Sequence, residues 1–140
     1  AAAAFPEIDI EPSIDLPEFE RAPGAHDELR FDMWQTWADP LAHANHPAYV
    51  DWCDEATSRR MNAAGIDPVL LRPIAERVAF KDAVLPGEEV RVLTKRVGVI
   101  GTDAVVLEHQ LATARGPAAE ATTVRGLAEG SGAALVSAWG

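Results

Sequence analysis

The feature that most constrains the fold is a series of four strand-like runs in the second half of the chain. They span residues 74–85, 88–98, 103–115 and 118–128, and turn signals rich in glycine and proline separate them. Connections this short join antiparallel neighbours, because a parallel crossover needs a dozen or more residues. The runs therefore predict an antiparallel sheet built from hairpins.

One long helix is predicted ahead of these runs, over residues 47–64. Pro47 suits the first helical position, where its missing N–H costs nothing, and Gly65 is placed to end the helix. Apolar residues recur at three- and four-residue spacing, which predicts a buried stripe. The stripe comprises Tyr49, Trp52, Cys53, Ala56 and Ala63, and it is interrupted only by Arg60, which contributes its apolar stem. Acids early in the segment (Asp51, Asp54, Glu55) and arginines late in it match the helix dipole.

A further strand is predicted before the helix, over residues 28–37. The stretch ELRFDMWQTW alternates, with Leu29, Phe31 and Met33 on one side. The order is therefore strand, helix, four strands. A sheet that buries one face against a single helix is an α+β layer pair.

Residues 1–28 differ in composition from the remainder. They hold four prolines and eight acids against one base, Arg21. Prolines disfavour a central strand, and the acidic bias disfavours a packed core. We predict a peripheral N-terminal extension over residues 1–28 and one domain over residues 29–140.

Charge and cysteine content restrict the possible functions. The net charge is −10, which repels phosphate backbones and disfavours a nucleic-acid partner. No apolar run approaches the ~20 residues of a membrane-spanning helix, and the start lacks the pattern of a signal peptide. A single cysteine, Cys53, excludes an internal disulfide and suits the cytoplasm. The sequence predicts no cofactor, and the pair His43 and His46 alone is weak support for a metal.

A polar cluster lies between the first strand and the helix. Within WADPLAHANHPAYVDW, residues 37–52, an acid, two histidines and an amide precede Pro47. Its members are Asp39, His43, Asn45 and His46. A helix N-terminus carries unpaired N–H groups and partial positive charge, so this cluster is a candidate site.

On these residues the chain resembles the hotdog-fold thioesterases, in the 4-hydroxybenzoyl-CoA thioesterase-like branch. Asp39-Pro40 is similar to the D-P of that branch, and the spacing from Asp39 to Tyr49 is that of the family. His43 and Asn45 fall on the H and N of its G-H-V-N-N loop. The run RVAFKDAVLPGEEVRVLTK is similar to the family's second strand and hairpin. The resemblance covers residues 28–128, and Ala42 stands where many relatives have glycine.

The resemblance implies a hotdog fold, an antiparallel sheet of about five strands wrapped around one long central helix. It implies hydrolysis of acyl-CoA or of an acyl group on an acyl carrier protein, in a homodimer or homotetramer. The catalytic residues would be Asp39, as general base or nucleophile, and His46, whose backbone N–H would bind the oxyanion. His43, Asn45 and Tyr49 would bind substrate.

Structural roles remain open for several of these residues. Asp39 could cap a turn before Pro40, Asn45 or His46 could cap the helix, and His43 could be a structural hydrogen-bonding group. Glu55 could act as a base, but the helix dipole explains it without a function. Cys53 is expected in the core, and His109 at the surface or an interface.

Two other functions compete with the thioesterase. A hotdog hydratase or dehydratase also has an acid and a histidine before the helix, but its motif D-x-N-P-x-H has an asparagine that DPLAHA lacks. A non-catalytic module that binds acyl chains or partners is the third hypothesis. Thiol release from acyl-CoA would be expected of the thioesterase alone.

Overall fold

The computed structural model describes residues 16–38, 46–128 and 132–140. In chain order the elements are β1 (Glu20–Arg21), β2 (His26–Asp32), a 3₁₀ turn (Gln35–Trp37), α1 (His46–Ala63), a 3₁₀ turn (Pro68–Leu70), β3 (Leu71–Phe80), β4 (Glu89–Ile100), β5 (Ala104–Thr113), β6 (Gly116–Leu127) and α2 (Ala133–Ala138). The predicted α+β order is confirmed. Predicted site residues Asp39, His43 and Asn45 lie outside the described residues, as does the side chain of His46.

The strands form one antiparallel sheet in the order β1–β4–β5–β6–β3, and β2 also pairs with β4. Two of the three predicted hairpins are present, β4–β5 and β5–β6. The first two predicted runs do not form a hairpin, because β3 pairs with β6 at the far edge of the sheet instead of with β4. The β3–β4 connection turns at Gly87, whose φ of 84° is a left-handed conformation that glycine adopts without strain. The predicted antiparallel sheet is therefore confirmed, except that β3 and β4 are not neighbours, and it has one short additional strand, β1.

The strand predicted over residues 28–37 is shifted in the structure. Pairing with β4 runs from His26 to Asp32, and the chain turns at Gln35–Trp37. Met33 ends the ladder, since its N–H donates to the carbonyl of Glu88 and its carbonyl accepts from Gly87. Beyond this point Trp37 packs beside Phe31 from the turn rather than from the strand, with ring centroids 5.5 Å apart.

Helix α1 covers one face of the sheet, here called the inner face. Trp52, Cys53 and Ala56 of the predicted stripe are buried together with Val90, Val92 and Leu111 of the strands. Farther along α1, Met61 packs with Val105 and Leu107. The predicted stripe is thus confirmed as the buried face, except that Ala63 is exposed.

The end of α1 follows the predicted pattern. The helix ends at Ala63, and Gly65 follows with a φ of 79°. The N–H groups of Gly65 and Ile66 donate to the carbonyls of Asn62 and Met61, which satisfies acceptors that the helix leaves unpaired. Gly65 is therefore placed as a C′ residue.

Residues 16–28 join the sheet edge rather than standing apart from it. Glu20–Arg21 pair with Gly98 and Val99, and His26–Glu28 pair with β4. Gly98 has no room for a side chain, because Phe19 and the carbonyl of Glu20 lie against it. Strand β2 thus begins inside the segment that was predicted as a peripheral extension.

Two arginines fasten both termini of the described chain to this edge. Arg96 donates to the carbonyls of Ala22, Pro23 and Val136. Arg60 pairs with both carboxylate oxygens of Asp27 at 2.8 Å and donates to the carbonyl of Ala138. The two ends are therefore held by shared partners.

We expect truncation before residue 29 to lower the thermal midpoint by several degrees. The truncated chain loses β1, the first residues of β2 and the Asp27 partner of Arg60. A loss of ~1 kcal/mol shifts the midpoint of a domain by a few degrees. Differential scanning calorimetry of this variant beside one that begins at residue 16, which keeps these contacts, provides the measurement. Equal midpoints for the two would show that the edge contacts contribute nothing to stability.

Candidate active site

The N-terminus of α1 lies directly after the predicted polar cluster. The helix begins at His46, one position earlier than predicted, so Pro47 is its second residue. No acidic side chain lies in its first turn, so the predicted acids Asp51, Asp54 and Glu55 come too late to neutralise the terminal N–H groups. A helix N-terminus without an acidic residue in its own first turn retains its partial positive charge for another anion.

Tyr49 anchors the first turn of α1 to the loop between β3 and β4. Its ring is buried and contacts Trp52 and Phe80, each with centroids 5.1 Å apart. Its hydroxyl accepts a hydrogen bond from the N–H of Val84 at 3.3 Å. Tyr49 is thus a structural link, and its predicted contact with substrate stays a prediction.

Aromatic rings surround this end of the helix. Six of them form a continuous chain of contacts with centroid separations of 5.1–5.6 Å. They are Trp34, Trp37, Phe31, Trp52, Tyr49 and Phe80. The chain runs from an exposed Trp34 through buried Trp52 to a partly exposed Phe80. Apolar aromatic walls beside a helix N-terminus would exclude water from a bound group.

Loop 81–88 is held in place by Arg115 from the β5–β6 turn. The guanidinium donates to both carboxylate oxygens of Glu88, to Asp82 and to the carbonyl of Ala83. The hydrogen bond to Arg115 lowers the pKa of Glu88. Glu88 in turn accepts from the N–H of Leu85 at 2.8 Å. This cluster fixes the loop that contacts Tyr49.

A buried ion cluster ties the middle of α1 to β6 and β3. Arg125 has a side chain that is 0% exposed, and it donates to both oxygens of Asp54 at 2.8 and 3.2 Å and to Glu76 at 2.6 Å. Burial opposes its charge, but the hydrogen bond and charge of Asp54, then those of Glu76, outweigh burial and raise the pKa of Arg125. The bidentate geometry fixes the rotation of α1 relative to the sheet.

His109 lies on the inner face beneath α1, and the expectation that it would be at the surface is wrong. It is fully buried, and its two ring nitrogens each lie 2.7 Å from a threonine hydroxyl, Thr94 and Thr123. Burial, then the charge of Arg125, lowers the pKa of His109 to about 3. A neutral imidazole has one donor and one acceptor, which the two hydroxyls match. Three adjacent strands are thereby linked in one register.

Cys53 and Glu55 carry the structural roles that the sequence favoured. Cys53 is 0% exposed, and burial raises the pKa of its thiol far above neutrality, so it is a core residue rather than a nucleophile. Glu55 pairs with Arg59 one turn later, at 2.9 Å. Neither side chain is available as an unpaired reactive group.

A cavity of about 620 Å³ lies along the second half of α1, away from its N-terminus. Asp27, Arg59 and Arg60 contribute to its walls. Its three arginines are already paired, Arg60 with Asp27, Arg59 with Glu55 and Arg30 with Glu28. This cavity therefore offers no uncompensated charge for a ligand.

Comparisons with known proteins give a fold and no sequence relative. No protein-family model matches, and no curated protein matches significantly. Among solved structures, a 1,4-dihydroxy-2-naphthoyl-CoA thioesterase from Synechocystis matches with a TM-score of 0.66 and 12% identity, over 74% of this chain and 82% of that one. A Thermus thermophilus thioesterase complexed with coenzyme A and Zn matches with a TM-score of 0.66 and 24% identity, over 74% and 85%. A gentisyl-coenzyme A thioesterase matches with a TM-score of 0.69 and 18% identity, over 81% and 98%.

The chain adopts the hotdog fold. This confirms the fold that the resemblance implied, with α1 as the central helix and β3 at one edge of the sheet. In this hotdog domain, Tyr49 is the one predicted site residue whose side chain is described.

Several residues that position α1 and loop 81–88 in the hotdog domain were not predicted. Arg115 belongs to a turn that marked only a hairpin boundary, Arg125 lies in a run that was predicted only as a strand, and Asp54 was predicted only to match the helix dipole. A signal was present for Arg125, since it lies two and four residues from Thr123 and Ala121, on the same inward-facing and buried side of β6. A charge at an inward strand position predicts a buried partner.

Within residues 16–38, 46–128 and 132–140, no group of three or more His, Cys, Asp or Glu side chains could hold a metal ion. No helix in these ranges is long and apolar enough to cross a membrane.

We expect His109 to make stability depend on pH. Its pKa in the fold, about 3, lies below the ordinary 6.5, so the unfolded chain takes up the proton first as the pH falls. The contribution is complete above pH 6.5 and is lost progressively towards pH 3. In this window His109→Gln should flatten the pH dependence of the unfolding free energy, by up to about 1.4 kcal/mol per pH unit. Urea titrations across the window measure this slope.

The matched control is His26→Gln, because His26 is an exposed residue on β2. It should leave the slope as in the wild type. If His109→Gln kept the wild-type slope, the buried imidazole would not be the titrating group.

Proposed function

We propose that this hotdog domain is a hydrolase of acyl thioesters, acting on acyl-CoA or acyl carrier protein conjugates. The observation that carries the proposal is the start of α1 at His46, immediately after the run Asp39–Asn45, in a fold shared with thioesterases. A 4-hydroxybenzoyl-CoA thioesterase complexed with 4-hydroxybenzoyl-CoA and a protein bound to acetyl-CoA also share the fold, at 14% and 15% identity.

The helix N-terminus supplies the electrophilic part of the chemistry. Attack on a thioester carbonyl places negative charge on its oxygen, and N–H donors aimed at that oxygen stabilise the transition state. The first N–H groups of α1 have no acceptor within the helix. The backbone N–H of His46 is our proposed oxyanion donor.

Asp39 supplies the base or the nucleophile. As base it removes a proton from water, which attacks the carbonyl while the thiolate leaves. As nucleophile it forms a mixed anhydride with release of the thiolate, and water then cleaves the anhydride to give the acid. His46 and Asn45 orient water or hold the thioester, and His43 pairs with Asp39.

The walls around α1 provide a place for the acyl group. Tyr49, Phe80 and loop 81–88 lie together at this end of the domain, and Arg115 holds the loop. An apolar boundary of this kind raises the strength of electrostatic interactions within a site, because water is excluded.

A homodimer, alone or within a homotetramer, is the assembly we propose. Strand β3 is ten residues long and pairs with β6 on one side. A long strand with an unpaired edge is a template for pairing with a second chain. Exposed apolar side chains at this edge include Val69 and Ile74, which are 79% and 50% exposed.

We expect Asp39→Asn to abolish most hydrolysis while the fold and assembly survive. Asparagine keeps the shape but lacks the charge, and loss of a general base or nucleophile typically costs 10²-fold or more. Release of free thiol from a panel of acyl-CoAs, with circular dichroism of the variant, provides the measurement.

His46→Ala is the companion variant, and it should lower the rate less, because alanine keeps the backbone N–H. Retention of most of the wild-type rate by Asp39→Asn would remove Asp39 from the mechanism. Conversion of an enoyl-CoA to a 3-hydroxyacyl product without thiol release would point instead to a hydratase.

Multi-angle light scattering at micromolar concentration tests the assembly. We expect a mass at least twice that of the 15.0 kDa chain, because the ten-residue strand β3 pairs only with β6 among the described residues and would gain hydrogen bonds by pairing with a second chain. A mass of 15.0 kDa would contradict the proposed dimer.

A further inference from the structure

Loop 81–88, which connects β3 to β4, is attached to the sheet through its backbone only at its two ends. At its start, two N–H groups donate to the carbonyl of Ala118 in β6. At its end, the backbone exchanges two hydrogen bonds with Met33, the residue after β2. Among the described residues, no backbone carbonyl accepts from the N–H groups of residues 83–85. The position of this middle part therefore depends on side chains.

Three side chains accept the N–H groups in the middle of the loop. The N–H of Ala83 donates to Asp82 Oδ1 at 2.9 Å, that of Val84 to Tyr49 Oη at 3.3 Å, and that of Leu85 to Glu88 Oε1 at 2.8 Å. The outer two acceptors are carboxylates of the loop itself. The central one belongs to α1, so Val84 is the residue through which the loop reaches the helix.

Arg115 holds both of these carboxylates at once. Its guanidinium donates to Asp82 at 2.8 Å and, through two nitrogens, to Glu88 at 2.9 and 2.8 Å. It also donates to the carbonyl of Ala83 at 2.6 Å. An isolated ion pair at an exposed site contributes little, but a bidentate arginine in a network of several partners is an exception. Arg115 therefore fixes the residues on either side of Val84.

The contact between Val84 and Tyr49 bears directly on the start of α1. Tyr49 lies three residues after His46, whose backbone N–H is the proposed oxyanion donor. Both Val84 and Tyr49 are buried in the same apolar cluster, but apolar packing is non-directional, whereas their hydrogen bond is directional. An oxyanion donor must lie about 2.7–3.1 Å from the oxygen that it stabilises. A small shift of the first helical turn is therefore enough to slow the reaction.

We propose that Arg115 is a positioning residue for hydrolysis of the thioester, an inference that rests on the proposed function. It holds loop 81–88 so that Val84 meets Tyr49, and this contact places the backbone N–H of His46. Arg115 itself touches no substrate. Because an oxyanion donor acts mainly in the transition state, its displacement lowers kcat and leaves KM nearly unchanged.

Amide hydrogen exchange in the full-length chain tests the structural part without any substrate. The variant is Arg115→Gln, which removes the charge and the forked donor. We expect the N–H of Val84 to exchange severalfold faster in this variant, because the residues beside it are no longer held, and NMR measures the rate. The matched control is Arg59→Gln. Arg59 is also an exposed arginine in an ion pair, with Glu55 on α1, and its loss should leave the exchange of Val84 unchanged.

Thiol release from the best acyl-CoA substrate tests the catalytic part. We expect Arg115→Gln to lower kcat about tenfold, which corresponds to about 1.4 kcal/mol, with KM changed less than twofold and Arg59→Gln as active as the wild type. Arg115→Lys keeps the charge but lacks the fork, so it should recover part of the loss. Glu88→Gln should add little to Arg115→Gln, because both act through one contact.

Wild-type exchange of Val84 in Arg115→Gln would overturn the proposal, whatever the activity. So would an unchanged kcat in that variant, and a raised KM with unchanged kcat would assign Arg115 to substrate binding instead. Absence of thiol release by the wild-type protein would overturn the proposed function itself. Faster exchange of Val84 in Arg115→Gln would in that case still establish Arg115 as the residue that holds the loop.

Discussion

Burial of the apolar stripe of α1 against the inner face is the constraint on which the rest of the molecule depends. Trp52, Cys53 and Ala56 remove that face of the sheet from water. Polar groups beneath the helix must then find partners inside the protein, since an unpaired buried polar group is costly. His109 does so through two threonines on neighbouring strands, and Arg125 through two carboxylates. Among the described residues, the indole N–H groups of Trp52 and Trp139 are exceptions without a partner.

Orientation of the helix follows from these pairs as much as from apolar packing. Hydrophobic contact is non-directional and tolerates rotation about the helix axis. The bidentate contact between Arg125 and Asp54 does not tolerate such rotation. The hydrogen bond between Tyr49 and Val84 fixes the first turn of α1 against loop 81–88. The N-terminal N–H groups of α1 are thereby aimed in one direction. In the proposed reaction, that direction is the position of the oxyanion.

The sequence predicted those features that depend on local chemistry. Pro47 and Gly65 bracketed the helix to within one residue, and glycine and proline marked the turns between strands. It failed where a residue's environment is set by distant parts of the chain. His109 alternates with Glu108 and Gln110, and nothing local indicates that its side of β5 faces the helix. Likewise, residues 26–28 looked peripheral because Arg60 and β4, which hold them, lie far away in sequence. Within the candidate site, the sequence located the N-terminus of α1. The role of Arg115 in holding loop 81–88 could be recognised only from the structure.

The aromatic chain at the start of α1 also makes this end of the domain its principal chromophore. Three of the four tryptophans belong to it, and the rings of Trp34 and Trp37 are stacked at 21° with centroids 5.6 Å apart. Indoles this close couple electronically and transfer excitation among themselves. The fourth, Trp139, is in a separate cluster under the guanidinium of Arg60. The ultraviolet absorption and intrinsic fluorescence of the intact protein therefore come mainly from the N-terminal end of α1. These signals report on that region more than on the rest of the fold.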